Sequence, residues 1–180
     1  MIYMFLANGF EETEAIVPLD IMRRAGVEVK TVGIGAKTVT GSHGIAVTAD
    51  LAENEIDFDS LCGVVLPGGM PGTINLASSK TVNTAIEKAA KKGDLIAAIC
   101  AAPSILGEKG LLCGKRATCY PGYEEKLLGA TFTGTPIVAD GNVITAWGAG
   151  AAVRFGFTIV EFLCGKEKAE ALEALFKCAG

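Results

Sequence analysis

Cys100 ends the apolar run Leu95 to Ile99 and is followed by Ala101-Ala102-Pro103, a helix opening. A thiol at that junction meets the free backbone N–H groups and the positive dipole end of a first helical turn, and both favour a thiolate. Such a thiolate is a nucleophile near neutral pH. The plainer alternative is a small core residue among alanines and isoleucines, the commonest role of free cysteine. The strand, turn and helix around Cys100 mirror a nucleophile elbow, although Ala98 and Ala102 stand where that motif carries glycines.

Two other segments carry matching chemistry. Gly68-Gly69, in Pro67-Gly68-Gly69-Met70-Pro71-Gly72 after the apolar Val64-Val65-Leu66, allows close backbone approach and offers N–H groups to a reacting oxygen. Alone it is an ordinary turn, and it gains weight only beside Cys100. Glu11, Glu12 and Glu14 suit the first turn of a helix. Glu14 has a second reading. A carboxyl facing the Cys100 sulfur in a partly apolar pocket would have a raised pKa, donate a hydrogen bond to the thiolate, and then serve as acid or base.

His43 is the only histidine, so a Cys-His dyad would have to recruit it from about sixty residues away; beside Thr40-Gly41-Ser42 it reads as a solvated surface residue. Cys62, Cys113, Cys119, Cys164 and Cys178 lack the setting of Cys100 and read as packing or adventitious thiols. With one histidine and no C-x-x-C pair, no metal site is expected.

The elements that would position these residues alternate. Strands are expected at Ile2 to Ala7, Val27 to Ile34, Val64 to Leu66 and Leu95 to Ile99, with helices after Glu11, at Thr81 to Lys92, after Ala101, at Ala151 to Leu163 and at Lys166 to Phe176. Pro18 should kink or loosen the first helix, and Gly26 stops it. Lys37 to Ala49 reads as a hairpin-rich excursion. A short strand at Arg116 to Thr118, a turn at Tyr120-Pro121-Gly122, a small helix at Tyr123 to Leu127 and a type I′ hairpin at Asp140-Gly141 complete the pattern. This predicts an α/β fold, a doubly wound, mostly parallel sheet flanked by helices in a flavodoxin-like three-layer sandwich. Three loops, Asn8 to Glu14, Pro67 to Gly72 and Ile99 to Pro103, should meet beyond the strand ends.

Composition agrees. The 180 residues are 50% hydrophobic and 20% charged, with mean hydropathy +0.41, which suits strands buried on both faces in one domain spanning 1–180. A net charge of −4 with scattered basic residues argues against a nucleic-acid partner. Leu95 to Leu106 is interrupted by Pro103 and Ser104 and is too short for a bilayer, and the N-terminal segment lacks a signal-peptide pattern, so a cytoplasmic, non-membrane protein is expected.

The chain resembles the ThiJ/PfpI superfamily, in the branch of the parkinsonism-associated deglycase (DJ-one) and its bacterial relatives. The resemblance rests on Gly9-Phe10-Glu11-Glu12-Thr13-Glu14, Met22-Arg23-Arg24-Ala25-Gly26, Leu66-Pro67-Gly68-Gly69, Ala97-Ala98-Ile99-Cys100-Ala101-Ala102-Pro103 and Thr145-Ala146-Trp147-Gly148-Ala149-Gly150, in family order. It implies Cys100 as nucleophile, Glu14 as its carboxyl partner, and Gly69 with Ala101 as backbone donors to the reacting oxygen. It also implies a homodimer and a cofactor-free activity on reactive carbonyls: glyoxalase III-type conversion of methylglyoxal to lactate, deglycation of glycated adducts, or both. The alternative is an oxidative-stress sensor or chaperone that uses reversible Cys100 oxidation. Tyr120 stands where many relatives have a histidine before Pro121, and His43 where a basic residue near the second subunit's site is often arginine; with Gly68 these are the candidate pocket residues. Ala101 replaces the histidine of the peptidase branch, which disfavours a peptidase.

Overall fold

Ile2, Met4 and Leu6 turn to one side of the first strand and Tyr3, Phe5 and Ala7 to the other, and all six are buried, in two separate cores. That is the signature of a strand with helices on both faces. The computed structural model describes residues 1–177; Cys178 lies outside the described residues. In chain order the elements are β1 (Ile2–Ala7), α1 (Glu12–Arg24), β2 (Val29–Ile34), β3 (Thr38–Thr40), β4 (Ala46–Thr48), β5 (Leu51–Ala52), β6 (Gly63–Leu66), α2 (Gly72–Ser78), α3 (Lys80–Lys92), β7 (Leu95–Ile99), α4 (Pro103–Glu108), β8 (Arg116–Ala117), β9 (Thr131–Phe132), β10 (Ile137–Asp140), β11 (Val143–Ala146), α5 (Ala152–Cys164) and α6 (Lys166–Phe176).

Seven strands form one sheet in the order β10-β11-β7-β6-β1-β2-β5, every pairing parallel except β10 with β11. The expected doubly wound sheet is therefore present. Residues of α1, α5 and α6 pack with Ile2, Met4, Leu6, Ala97 and Ile99 on one face, while those of α3 and α4 pack with Tyr3, Phe5, Ile96 and Ala98 on the other. Each fully buried Ile, Leu, Met or Phe here contributes roughly 1.5–3 kcal/mol. The α1–α5 contact is close because Gly156 has no side chain: a Cβ there would fall 2.8 Å from Ile21 Cδ1 and 3.1 Å from Pro18 Cα.

α1 carries Pro18 inside it and ends as expected at Gly26, where Val27 N–H reaches Met22 O at 3.0 Å and Gly26 takes φ +81°, a Schellman-type stop. Other expectations need correction. α2 was not expected, because Pro71-Gly72 reads as loop; Gly72 is required there, since a Cβ would fall 2.6 Å from Phe10 N. The hairpin between β10 and β11 pairs Asp140 with Val143, so its central residues are Gly141 and Asn142. Only Gly141 has positive φ (+62°), the II′ pattern rather than I′. Tyr123 to Leu127 yields only a 3-10 turn at Glu124–Lys126. Among the described residues no helix is long and apolar enough to cross a membrane.

Candidate active site

The three loops do meet. Glu11 N–H donates to Gly68 O at 2.9 Å and Gly72 N–H to Gly9 O at 3.2 Å, which ties the β1–α1 turn to the β6–α2 loop. Gly68 then borders the β7–α4 turn. A Cβ on Gly68 would lie 2.6 Å from Cys100 Cβ, 2.7 Å from Glu14 Oε2 and 3.0 Å from Ile99 O. The missing side chain of Gly68 is the gap across which thiol and carboxyl face each other.

Cys100 has φ +66°, the left-handed region, at a general cost on the order of 1–3 kcal/mol for a residue other than glycine. Its backbone is held from both ends: Cys100 N–H donates to Ala146 O at 2.9 Å, and Cys100 O accepts from Tyr120 N–H at 2.8 Å. The strained turn lifts the side chain out of the sheet, leaving it half-buried. Backbone N–H groups of Ala101 and Gly69 lie near enough to the sulfur to favour its charged form. Gly69 has φ +90°, and a Cβ there would meet Glu11 N at 2.4 Å, so the loop accepts only glycine at that position.

Glu14 is 1% exposed. Burial is the main cause that pushes its carboxyl up to about 7; the Cys100 hydrogen bond opposes this, Glu11's charge adds to it, and N–H groups of Gly68 and Ala149 oppose it. Gly68 N–H reaches Glu14 Oε2 at 2.9 Å. Burial likewise pushes the Cys100 thiol up, to about 12, with Glu14's charge and hydrogen bond adding and the Ala101 and Gly69 N–H groups opposing. The expectation of an acid-shifted thiol therefore fails wherever Glu14 is charged. Two physical reasons stand out: the site is drier than the sequence suggested, and α4 has only six residues, so its dipole is weak.

The two groups titrate as one pair. A single negative charge is accommodated above about pH 7, a second only near 12, and in the singly charged state the proton sits either on sulfur or on the carboxyl. With the proton on Glu14, the charge lies on a sulfur that the Ala101 and Gly69 N–H groups and the carboxyl O–H favour.

His43 is not brought to Cys100. Its exposed ring donates from Nδ1 to Glu12 Oε2 at 2.9 Å, and its backbone N–H reaches Glu12 Oε1 at 2.8 Å. The hydrogen bond to Glu12, then Glu12's charge, raise the imidazole above its ordinary range. Burial, the largest single influence on Glu12, raises its carboxyl, but the hydrogen bonds from His43 and Ile45 together bring it down to about 2. Glu12 is thus the anchor of the β3–β4 hairpin. Glu11, Glu12 and His43 place ligand atoms within 4.8 Å of one another, but Glu12 is already saturated by these bonds.

Tyr120 is half-exposed and stands over Gly148, whose Cβ would fall 3.2 Å from its ring and 4.0 Å from Glu14 Oε1. Tyr120, Pro121, Trp147 and Gly148 to Gly150 line an apolar hollow of about 400 Å³ at this edge of the site. A hollow of about 420 Å³ over the ends of β1 and β2 has no thiol and no buried acid on its wall. Sequence reasoning missed the Ala149 N–H as a partner of Glu14 and Ala146 O as the clamp on Cys100; the glycines at 148 and 150, directly after a strand, were the available signal.

Known proteins match this chain in sequence and fold. The DJ-1/PfpI family model matches residues 1–162. Protein DJ-1 homolog B of Arabidopsis thaliana is 40% identical over 91% of this chain, which spans only 38% of that protein's length, and 44% of the related homolog A. The Caenorhabditis elegans protein named glutathione-independent glyoxalase DJR-1.2 is 32% identical over 90% of this chain and 87% of its own. The crystal structure of a mutant DJ-1 superfamily protein from Salmonella typhimurium superposes with a TM-score of 0.93 at 33% identity, covering 99% of this chain and 98% of that one. With the family model covering residues 1–162 and relatives 40% and 32% identical over about nine-tenths of the chain, the chain belongs to the DJ-1/PfpI family.

Proposed function

We propose that the protein is a cofactor-free enzyme of glyoxalase type, converting a 2-oxoaldehyde such as methylglyoxal to the 2-hydroxy acid. The observation that carries this reading is the pairing of Cys100 and Glu14 across Gly68, with a carboxyl poised near 7. General acids and bases work best when their pKa lies near the working pH. The glyoxalase name of the worm relative supports the same reaction class.

The steps balance within the substrate. From the state with the proton on Glu14, the Cys100 sulfur adds to the aldehyde carbon, and Glu14 protonates the alkoxide to give a hemithioacetal. The carboxylate so formed takes the C1 proton, giving an enediolate, and returns it to C2, while the C1 hydroxyl proton passes to the C2 oxygen. C1 is thereby oxidised to a thioester and C2 reduced to an alcohol, so no outside oxidant is required. Water then cleaves the thioester to lactate and free thiol. N–H groups of Gly69 and Ala101 are the proposed donors to the developing oxyanion. Gly68, Tyr120 and the hollow at Trp147 border the substrate. We further propose a cytoplasmic homodimer, with His43 at the second subunit's site.

The test is lactate formation from methylglyoxal without glutathione, with Cys100→Ser as control. Turnover abolished by that substitution supports the reading, and an inactive wild-type protein refutes it. A redox-sensor reading draws on one observation, the half-exposed thiol beside a proton donor able to hold a sulfinate. A relative's structure, that of Toxoplasma gondii DJ-1, is described as oxidized.

A further inference from the structure

Glu11 caps α1 from the position that usually holds Ser, Thr, Asp or Asn. Its Oε2 accepts the Glu14 N–H at 2.7 Å, its own N–H donates to Gly68 O at 2.9 Å, and Gly68 N–H donates to Glu14 Oε2 at 2.9 Å. These three bonds close a ring through Glu11, Gly68 and Glu14. The ring is tight on its far side as well, where the Glu11 backbone occupies the space a side chain on Gly69 would need. Capping needs only an acceptor, which a neutral amide supplies. A charged cap does something more, because it sets an anion one helical turn from a carboxyl that is itself buried.

We propose that Glu11 is a positioning residue for the proton carrier: its carboxylate locks Glu14 against the Gly68 loop and, by repulsion, enlarges the share of the singly charged pair in which the proton stays on Glu14 and the charge lies on Cys100. This inference rests on reading Glu14 and Cys100 as the reacting pair. Glu11's charge acts on Glu14 in the required direction. The groups facing the site from other elements do not cancel it. Cys100 comes from the β7–α4 turn, Tyr120 follows β8, and the segment at Gly148 and Ala149 offers a backbone N–H. His43, from the β3–β4 hairpin, stands 4.0 Å from Glu11 Oε1 but is held by Glu12 at 2.9 Å. It damps the anion rather than neutralising it.

The experiment uses the full chain with ¹³C-labelled glutamate. The side-chain carboxyl signal of Glu14, assigned by its loss in Glu14→Gln, is titrated by NMR, and the iodoacetamide rate at Cys100 is measured at pH 7.5. Glu11→Gln and Glu11→Asn keep a capping acceptor and remove the charge; Glu11→Asp keeps both. The Glu14 midpoint should fall by roughly 0.5–1 pH unit in the two neutral variants, the effect of losing one nearby like charge, and alkylation should slow about 3–10-fold. Glu11→Asp should behave as the wild type. An unmoved midpoint in the neutral variants, or an equal drop in Glu11→Asp, overturns the proposal, as does loss of folding in both neutral variants while Glu11→Asp folds. The titration needs no turnover, so an inactive wild-type protein would refute the enzyme reading while these midpoints still decide the role of Glu11.

Discussion

Replacing Glu14 by Gln should make the protein more stable at pH 8 while leaving it almost unchanged at pH 5. The folded carboxyl titrates at about 7 against an ordinary value of 4.5. Between those values the native state binds more protons than the unfolded chain, so this group's contribution is fully present below 4.5 and lost as pH rises through about 7. With one pKa unit worth 1.36 kcal/mol, the change in wild-type stability from pH 5 to pH 8 assignable to Glu14 is about 2.5 kcal/mol. Sharing the charge with sulfur trims that figure, and burial of the carboxyl keeps solvent from screening most of the rest. Gln keeps the shape and does not titrate. Urea unfolding of both proteins at the two pH values should therefore show the variant-minus-wild-type difference growing by about 2 kcal/mol or somewhat more, with Tm separating by roughly 4–10 °C. A difference that stays constant, or that shrinks toward pH 8, would refute the claim that Glu14 is held against ionisation.

Three further outcomes are expected. Glutathione-free turnover of methylglyoxal should fall about 10²–10⁴-fold in both Glu14→Gln and Glu14→Ala, measured as lactate formed, because neither residue can exchange a proton. Gly68→Ala should place a methyl group 2.6 Å from Cys100 Cβ and 2.7 Å from Glu14 Oε2, which costs roughly 1–3 kcal/mol in urea unfolding and removes at least about nine-tenths of turnover. Glu12→Gln should destabilise the fold by about 1–3 kcal/mol at pH 7, since charge-assisted bonds to the β3–β4 hairpin are lost. The Glu12 carboxyl is depressed to about 2, so that penalty is present above 4.5 and disappears as pH falls toward 2; unfolding curves at pH 7 and pH 3 check it.

The sheet was legible because its strands are continuous apolar runs bounded by Asn8-Gly9, Pro67-Gly68 and Cys100, and because Gly26, Gly93 and Gly165 punctuate the helices. The meeting of the three loops followed from topology alone. What stayed illegible depends on contacts across the chain. α2 forms because Gly72 fits against the Gly9–Phe10 backbone, and its own composition does not announce a helix. The thiol shift runs opposite to the direction a strand-to-helix turn suggests, because α4 has only six residues and the sulfur shares a dry gap with an acid. Glu12 offered no sequence signal that separates it from Glu11 and Glu14. Its task, holding a hairpin thirty residues away, exists only once β3 and β4 have folded back onto α1.

The left-handed backbone at Cys100 sets stability and reactivity against each other at one position. Glycine adopts that conformation freely and asparagine more readily than other residues, so either would relax the turn that cysteine holds under tension. A library of position-100 variants ranked on heat resistance alone would thus favour replacements that discard the thiol. Directed evolution toward a hardier form of this protein needs a counter-screen for sulfur chemistry in every round, and gains in melting temperature are safer sought on α6, away from the elbow.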